Sequence, residues 1–309
     1  MPSAPRFSPR RALGSTGFIA TALGAGDLAD RNVPVETCVA TLRRALDAGL
    51  NVVDTAPSYE NGYSEEIVGQ ALQGRRGGVF LIDKIDHFDR PVAAQVEESL
   101  ARLGTPVDLF VFHGVSSLDV WNELRKPGGR WEELEAVVRA GKARFRGISC
   151  HHPDVLAAAI PSGLCDVVMF PVGPFVDARY VDVALPLARR HGVGTVCFKA
   201  FGAGKLLGDS SGYGRPLETR PRGKLSSGGT ERQDEPLLPR LSVAECLNYT
   251  LTCDPDVTLL GLSFPNEQDA AFSAAENFRP QSRDELAGLR ERAVVAMRDK
   301  GAAWWNPPV

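Results

Sequence analysis

Methionine is scarce in this 309-residue chain, at three residues, and aromatic side chains make up only 7% of it. Tyrosine and histidine number five each, so any one of them in a chemically suggestive setting carries weight. The six cysteines, at 38, 150, 165, 197, 246 and 253, include no CxxC pair. That argues against a metal ribbon or a redox dithiol and for reduced, mostly buried thiols. An excess of either charge is also missing: 35 Lys and Arg stand against 38 Asp and Glu, for a net −3. No global electrostatic case exists for binding nucleic acid or an anionic membrane. Apolar runs stop well short of the roughly 20 residues that span a bilayer. The opening MPSAPRFSPRRALG lacks the apolar core of a signal peptide, so a cytoplasmic protein is expected.

What the chain does have is rhythm. Apolar strand-like runs at 21–25, 51–54, 79–84, 108–112, 144–149, 166–170, 194–198 and 257–261 alternate with amphipathic helix-like runs. The helical runs are 34–48, 64–73, 91–103, 130–140, 154–160, 178–191, 242–252 and 267–276, and a last one covers 283–299. Eight strand–helix units predict a parallel sheet closed into a single-domain (β/α)8 barrel over residues 1–309. Residues 208–239 are rich in Gly, Ser, Pro, Arg and Glu and have little apolar periodicity. A loop this long after the seventh strand reads as a mobile lid or as an insertion without a role.

Candidate chemistry collects at strand ends. NVVDTAPSYENGYSEEIVGQAL delivers Asp54 at the end of one apolar run and Tyr59 in the loop after it. The next two runs end at Lys84 and at His113. The C-terminal ends of barrel strands are where such folds do chemistry. Reducing a carbonyl requires a proton donor for the oxygen on which negative charge grows. A tyrosine can supply it if a nearby ammonium favours the phenolate. An aspartate can hold that ammonium, and a histidine can orient the carbonyl. Each residue alone is weak evidence, since a lone histidine after an apolar run is more often a packed one, but four at consecutive strand ends are hard to assign to chance.

With these residues in view, the chain resembles the aldo-keto reductases. LGSTGFIATALGAG is similar to the family's N-terminal hairpin and first strand, and NVVDTAPSYENGYSEEIVGQAL to its best-known signature. KIDHF and VDLFVFHGV resemble the lysine and histidine strands; ARFRGISCHHPDVL, CDVVMFPVGPF, GTVCFKAFGAGKLLG and VTLLGLSFPNEQ follow in the family's order. The resemblance implies hydride transfer between a nicotinamide, NADP(H) or NAD(H), and a small carbonyl or alcohol substrate such as an aldehyde, ketone or sugar. It implies Tyr59 as general acid/base, Lys84 lowering its pKa, Asp54 anchoring Lys84, and His113 orienting the carbonyl. It also implies a monomer or weak homo-oligomer, no metal, and cofactor contacts from Asp54, Ser149, Cys150, Met169, Phe198, Lys199, Phe201, Gly202, Gly204, Lys205, Gly261, Ser263 and Glu267.

The chain departs from the family in places. The usual Ser-Asn after the fifth strand is Ser149-Cys150, the usual Gln is Met169, the stacking Tyr is Phe198, and Lys199 stands where Ser is common. The eighth-strand region, Ser263 to Gln268, has no positive charge for a 2′-phosphate, which leaves NADH open beside NADPH. Lys199, Lys205 or an arginine of 208–239 would have to compensate.

Other signals are weaker. Gly24-Ala25-Gly26-Asp27-Leu28-Ala29 matches a dinucleotide fingerprint but no helix follows at once. Gly202-Ala203-Gly204-Lys205 lacks the full phosphate-loop pattern. His151-His152 reads as a loop or helix start rather than a metal pair. Phe88, Trp121, Phe175 and the 208–239 loop are candidate substrate walls, and Trp304 and Trp305 either border the mouth or pack the tail. The competing function is a cofactor-binding regulatory or subunit protein with little turnover; a barrel lyase or isomerase is disfavoured by the lack of a clustered metal or phosphate motif.

Overall fold

The computed structural model describes residues 5–27, 31, 33–208, 239–261 and 265–307. A two-stranded hairpin comes first, β1 (Arg11–Ala12) antiparallel to β2 (Ile19–Ala20). Barrel strand β3 (Leu23–Ala25) then leads to helix α1 (Val35–Asp47), β4 (Val52–Asp54) to α2 (Tyr63–Leu72), and β5 (Phe80–Ile85) to α3 (Val92–Leu103). After β6 (Leu109–Phe112) come two helices, α4 (Leu118–Arg125) and α5 (Arg130–Arg139). Next are β7 (Phe145–Ser149) with α6 (Pro153–Ala159), β8 (Val167–Pro171) with α7 (Leu185–His191), and β9 (Gly194–Phe198) with α8 (Val243–Cys253). The chain ends with β10 (Val257–Leu260), α9 (Pro265–Glu276) and α10 (Arg283–Met297).

The eight strands β3 to β10 pair in parallel and close, β10 bonding to both β3 and β9. The expected (β/α)8 barrel is therefore the observed fold, with all eight strands where the sequence rhythm put them. Strand periodicity sends alternate side chains inward. Val52, Phe80, Ile82, Leu109, Val111 and Met169 belong to an inner core, while Val53, Leu81, Phe110, Ile148 and Cys197 belong to the outer one under the helices. The hairpin closes the N-terminal end: Phe18 sits 5.1 Å from Phe80, ring to ring, and Leu13 and Ala20 join the inner core. The other end stays available.

Two elements differ from expectation. Helix α4 has no counterpart among the expected helices; its eight residues follow a Ser117 cap whose side chain accepts the Val120 N–H. The expected helix over 178–191 divides into a π-helical turn, Tyr180–Ala184, and α7. Pro186 lies in the first turn of α7. It has no N–H to return to the preceding turn, so the helical ladder restarts there. The stretch expected as a lid lies outside the described residues from 209 to 238, as do Leu28-Ala29 of the fingerprint and Ser263. Gly24 and Gly26 fall in and just after β3.

Gly147 marks how tightly the barrel seams are drawn. It pairs with Val167, and a Cβ placed on it would lie 1.9 Å from the Val167 carbonyl oxygen. We predict that Gly147→Ala destabilises the fold by about 1–3 kcal/mol. An unchanged denaturant midpoint would show that the seam can open freely.

Candidate active site

The alternation that builds the core also builds the site. On β4, Val52 faces inward, so Asp54 does; on β5, Phe80 and Ile82 put Lys84 inward; after Leu109 and Val111 of β6, His113 is the next inward position. Polar groups at these positions form a layer directly above the apolar one, at the C-terminal end of the barrel. Tyr59 comes from the loop after β4. Glu60, Asn61 and Gly62 there have φ of 50°, 53° and 85°, a run of left-handed residues that turns the chain back into α2.

Lys84 and Asp54 are 1% and 2% exposed, an ion pair withdrawn from water. The Lys84 ammonium donates to both Asp54 carboxylate oxygens at 2.7 Å and to the Thr55 carbonyl at 2.7 Å. It lies 4.3 Å from the centre of the Tyr59 ring and bonds to the Tyr59 side chain. The Tyr59 and His113 rings meet edge to face at 5.8 Å. The four expected residues are brought together.

Burial works against the Lys84 charge, but Asp54 and Tyr59 outweigh it and hold the ammonium above its ordinary pKa. Burial, together with the Asp54 and Asp27 charges, raises the Tyr59 phenol pKa by more than the expected downward pull of Lys84. The phenol is held above its ordinary value and is a protonated acid at neutral pH.

One participant was missed in the sequence. Asp86 Oδ1 is hydrogen-bonded to His113 Nδ1, and Asp86 Oδ2 accepts the Ser58 N–H at 2.7 Å. Burial raises the Asp86 carboxyl pKa, but its interactions with His113 and its bonds to Ser58 together outweigh this, and the net shift is downward. Asp86 therefore fixes the His113 ring and ties it to the loop that bears Tyr59. The signal was present: Asp86 follows Lys84 by two residues, on the same inward face.

The residues expected to hold a cofactor divide. Ser149 and Phe198 end β7 and β9 on inward positions, and Gly261 follows β10. Met169 lies deeper, 1% exposed within the inner core. Cys150 points the other way. It belongs to the outer core, and its Sγ lies 3.2 Å from both the N–H and the carbonyl of His152. Its thiol pKa is pushed up to about 12 by burial. Lys205, expected near phosphate, is buried instead and donates to the Ala302 carbonyl at 2.7 Å. Phe201, Gly202 and Gly204 form a buried turn in which Gly202, Ala203 and Gly204 all have positive φ. Glu267 is buried in the first turn of α9.

The mouth has a ring-lined wall. His151 lies 5.2 Å from Phe198 and 5.1 Å from Trp304, and the Lys199 ammonium sits 4.4 Å from the Trp304 ring centre. The His151 pKa is lowered to about 3 by burial and by the charges of Lys199 and His113, so its imidazole is neutral. His152 instead caps α6, its Nδ1 accepting the Asp154 N–H at 3.3 Å. The two histidines thus serve different ends of one loop, His152 as the expected helix start. The tail is pinned by Trp305, whose indole N–H donates to the Phe175 carbonyl at 3.0 Å. Of the candidate walls, Trp121 is buried against Trp131 and Phe88 packs on Phe112, both on the outer side of the barrel.

The Cys150 placement predicts that a thiol alkylating agent at pH 7.5 leaves this residue unmodified in the native protein and labels it on unfolding. Rapid native labelling, mapped by peptide mass, would return the thiol to the mouth.

Known proteins resemble this chain along its length. The aldo-keto reductase YhdN of Bacillus subtilis is 30% identical over 190 residues, which is 56% of this chain and 54% of that one. A solved aldo-keto reductase of Bacillus halodurans, in its holo form, superposes with a TM-score of 0.67 at 24% identity, over 91% of this chain and 95% of that one. A Klebsiella pneumoniae aldo-keto reductase solved in complex with NADPH gives 0.64 at 22% identity, over 94% and 95%. Residues 21–256 match the model of the aldo/keto reductase family, and the chain belongs to that family of NAD(P)-dependent oxidoreductases acting on carbonyls.

Proposed function

We propose that this protein interconverts a small carbonyl compound and its alcohol, with Tyr59 as the general acid/base. The observation that carries the reading is the Lys84 ammonium held between the Asp54 carboxylate and the Tyr59 ring. A nicotinamide, NADPH or NADH, supplies or accepts the hydride when bound. The half-buried Phe198 ring at the mouth offers a flat apolar face for it, with Ser149, at the end of β7 two strands away, as a polar group on the same rim. The glycine turn at Gly202 and Gly204 allows close approach to a diphosphate.

The proton chemistry follows from the side chains. In reduction Tyr59 gives its proton to the carbonyl oxygen, and the charge left on the phenol is met by Lys84. Asp54 keeps that lysine charged and in place. His113, its Nδ1–H engaged by the Asp86 carboxylate, donates from Nε2 to the carbonyl oxygen in its doubly protonated form and fixes its orientation. Substrates enter past His151, Phe198 and Trp304, a wall suited to flat or apolar groups.

A second reading is a family member that binds cofactor but turns over little. The outward Cys150 and the apolar Met169 favour it, because neither offers the nicotinamide carboxamide a polar partner. The first reading predicts NAD(P)H oxidation dependent on an aldehyde, ketone or sugar, and a loss of about 10²- to 10⁴-fold in kcat for Tyr59→Phe with cofactor binding retained. Cofactor binding without turnover across such a panel would select the second.

The raised phenol pKa sets the pH behaviour. The protonated form that reduction requires persists through neutral pH and is lost only above the ordinary tyrosine value near 10. The phenolate that oxidation requires is scarce at neutral pH and grows as pH rises. We therefore predict a reductive kcat that is flat through pH 6–9 and an oxidative kcat that climbs across the same range, measured with saturating cofactor. An oxidative profile that falls with pH would contradict the assignment of Tyr59.

A further inference from the structure

One rung is missing from the seam between β4 and β5. The ladder runs regularly up to the Thr55 N–H, which donates to the Ile82 carbonyl at 3.0 Å, with Asp54 opposite Ile82. In a parallel pair the next bond would run from the Lys84 N–H to the Thr55 carbonyl. That carbonyl instead accepts the Lys84 side-chain ammonium at 2.7 Å. The displaced Lys84 N–H goes to the carboxyl of its own neighbour, Asp83 Oδ1, at 2.8 Å.

From this geometry we infer that Asp83 is a positioning residue: by taking up the Lys84 peptide N–H, it frees the Thr55 carbonyl to hold the Lys84 ammonium against Asp54 and Tyr59. The inference rests on the proposed function for its kinetic consequence but not for its structural one.

Asp83 has no evident reason to be an acid otherwise. It occupies an outward position on β5 between Leu81 and Ile85, both in the outer core, and is itself fully buried. Its second oxygen, Oδ2, has no hydrogen-bond partner, and neither does the buried Ser99 Oγ of α3. An unpaired buried polar atom opposes folding, and the bond of the other oxygen to the Lys84 N–H is the polar contact that offsets it. The charges that bear on it are Glu65 of α2, Lys84 and Asp54, and Glu65 is bound in turn by Arg102 of α3. Burial first, and the Glu65 charge second, lift the Asp83 pKa well above the carboxylate range.

Losing the acceptor returns the Lys84 N–H to competition for the Thr55 carbonyl. The ladder closes by one rung, and the ammonium gives up one of its three contacts at 2.7 Å. The test combines turnover with a thermal double-mutant cycle on the full-length protein. Asp83→Ala is expected to lower kcat about tenfold or more, with KM for the carbonyl changed less than about twofold. Asp83→Asn, which keeps an uncharged acceptor, is expected to restore most of that loss. In the Lys84→Met background the Thr55 carbonyl is free for the peptide N–H, so Asp83→Ala should lower the melting temperature far less than it does beside Lys84.

Equal melting losses in both backgrounds, or an Asp83→Asn as impaired as Asp83→Ala, would overturn the inference. If Asp83→Ala does not fold alone, its recovery in the Lys84→Met double variant supports the inference, and failure to recover overturns it. The melting arm needs no turnover, so a protein inactive on every carbonyl would defeat the proposed function and leave this test standing.

Discussion

The Lys84–Asp54 ion pair is the constraint around which the top of the barrel is arranged. Two charges nearly sealed from water are costly to bury, and their mutual attraction repays this only when geometry and further hydrogen bonds are favourable. Here the ammonium has three oxygen contacts at 2.7 Å and an aromatic face beside it. Removing one partner of such a pair typically costs about 3–5 kcal/mol. The protein accepts that exposure because a fixed positive charge next to a phenol is what the proposed proton transfer uses. The strand ladder bends to the same demand: β4 stops at Asp54, and the next carbonyl belongs to a side chain rather than to the neighbouring strand.

The pair also organises its surroundings in sequence. Lys84 reaches toward Asp54 and Tyr59, while Asp86, two residues on, reaches toward His113 and Ser58. One strand end therefore holds both the ammonium and the histidine, and through Ser58 it holds the loop carrying the tyrosine. Few independent placements are needed. A single shift of β5 by one residue would turn both Lys84 and Asp86 outward, because side-chain direction has period two.

The same period explains what could be read from the chain without coordinates. The barrel and the strand-end residues Asp54, Lys84 and His113 are legible because each sits at a place that apolar alternation already marks, while Tyr59, in the loop after β4, is legible only beside them. Asp86 was equally marked, yet two residues beyond the strand's lysine it looks like an ordinary loop acid. Cys150 shows the complementary limit: it follows inward Ser149 and faces outward, a consequence of alternation that a motif comparison does not display. Trp121 reads as a loop wall because no helix is expected between the fourth strand and residue 130, but the eight-residue α4 carries it and buries it against Trp131. His151 and His152 are identical in the sequence and opposite in use, since one precedes and the other begins the cap of α6.

Lys205 shows why charge in a sequence is a poor guide to electrostatics in a fold. Beside two glycines it reads as a phosphate ligand, yet its ammonium is buried beneath the tail. Lys300 reciprocates, donating to the Lys205 carbonyl at 2.8 Å and to the Pro239 carbonyl at 2.7 Å. Through these bonds the two lysines tie the chain after α10 to the turn that follows β9. Trp305 is buried and bonded to Phe175, while Trp304 remains 44% exposed beside His151 and Lys199. The tail thus carries one tryptophan that fixes it and one that faces the opening. A wall held this way cannot be altered independently of its anchors: Lys205, Lys300 and Trp305 hold the C-terminal segment and, with it, the shape of the entrance.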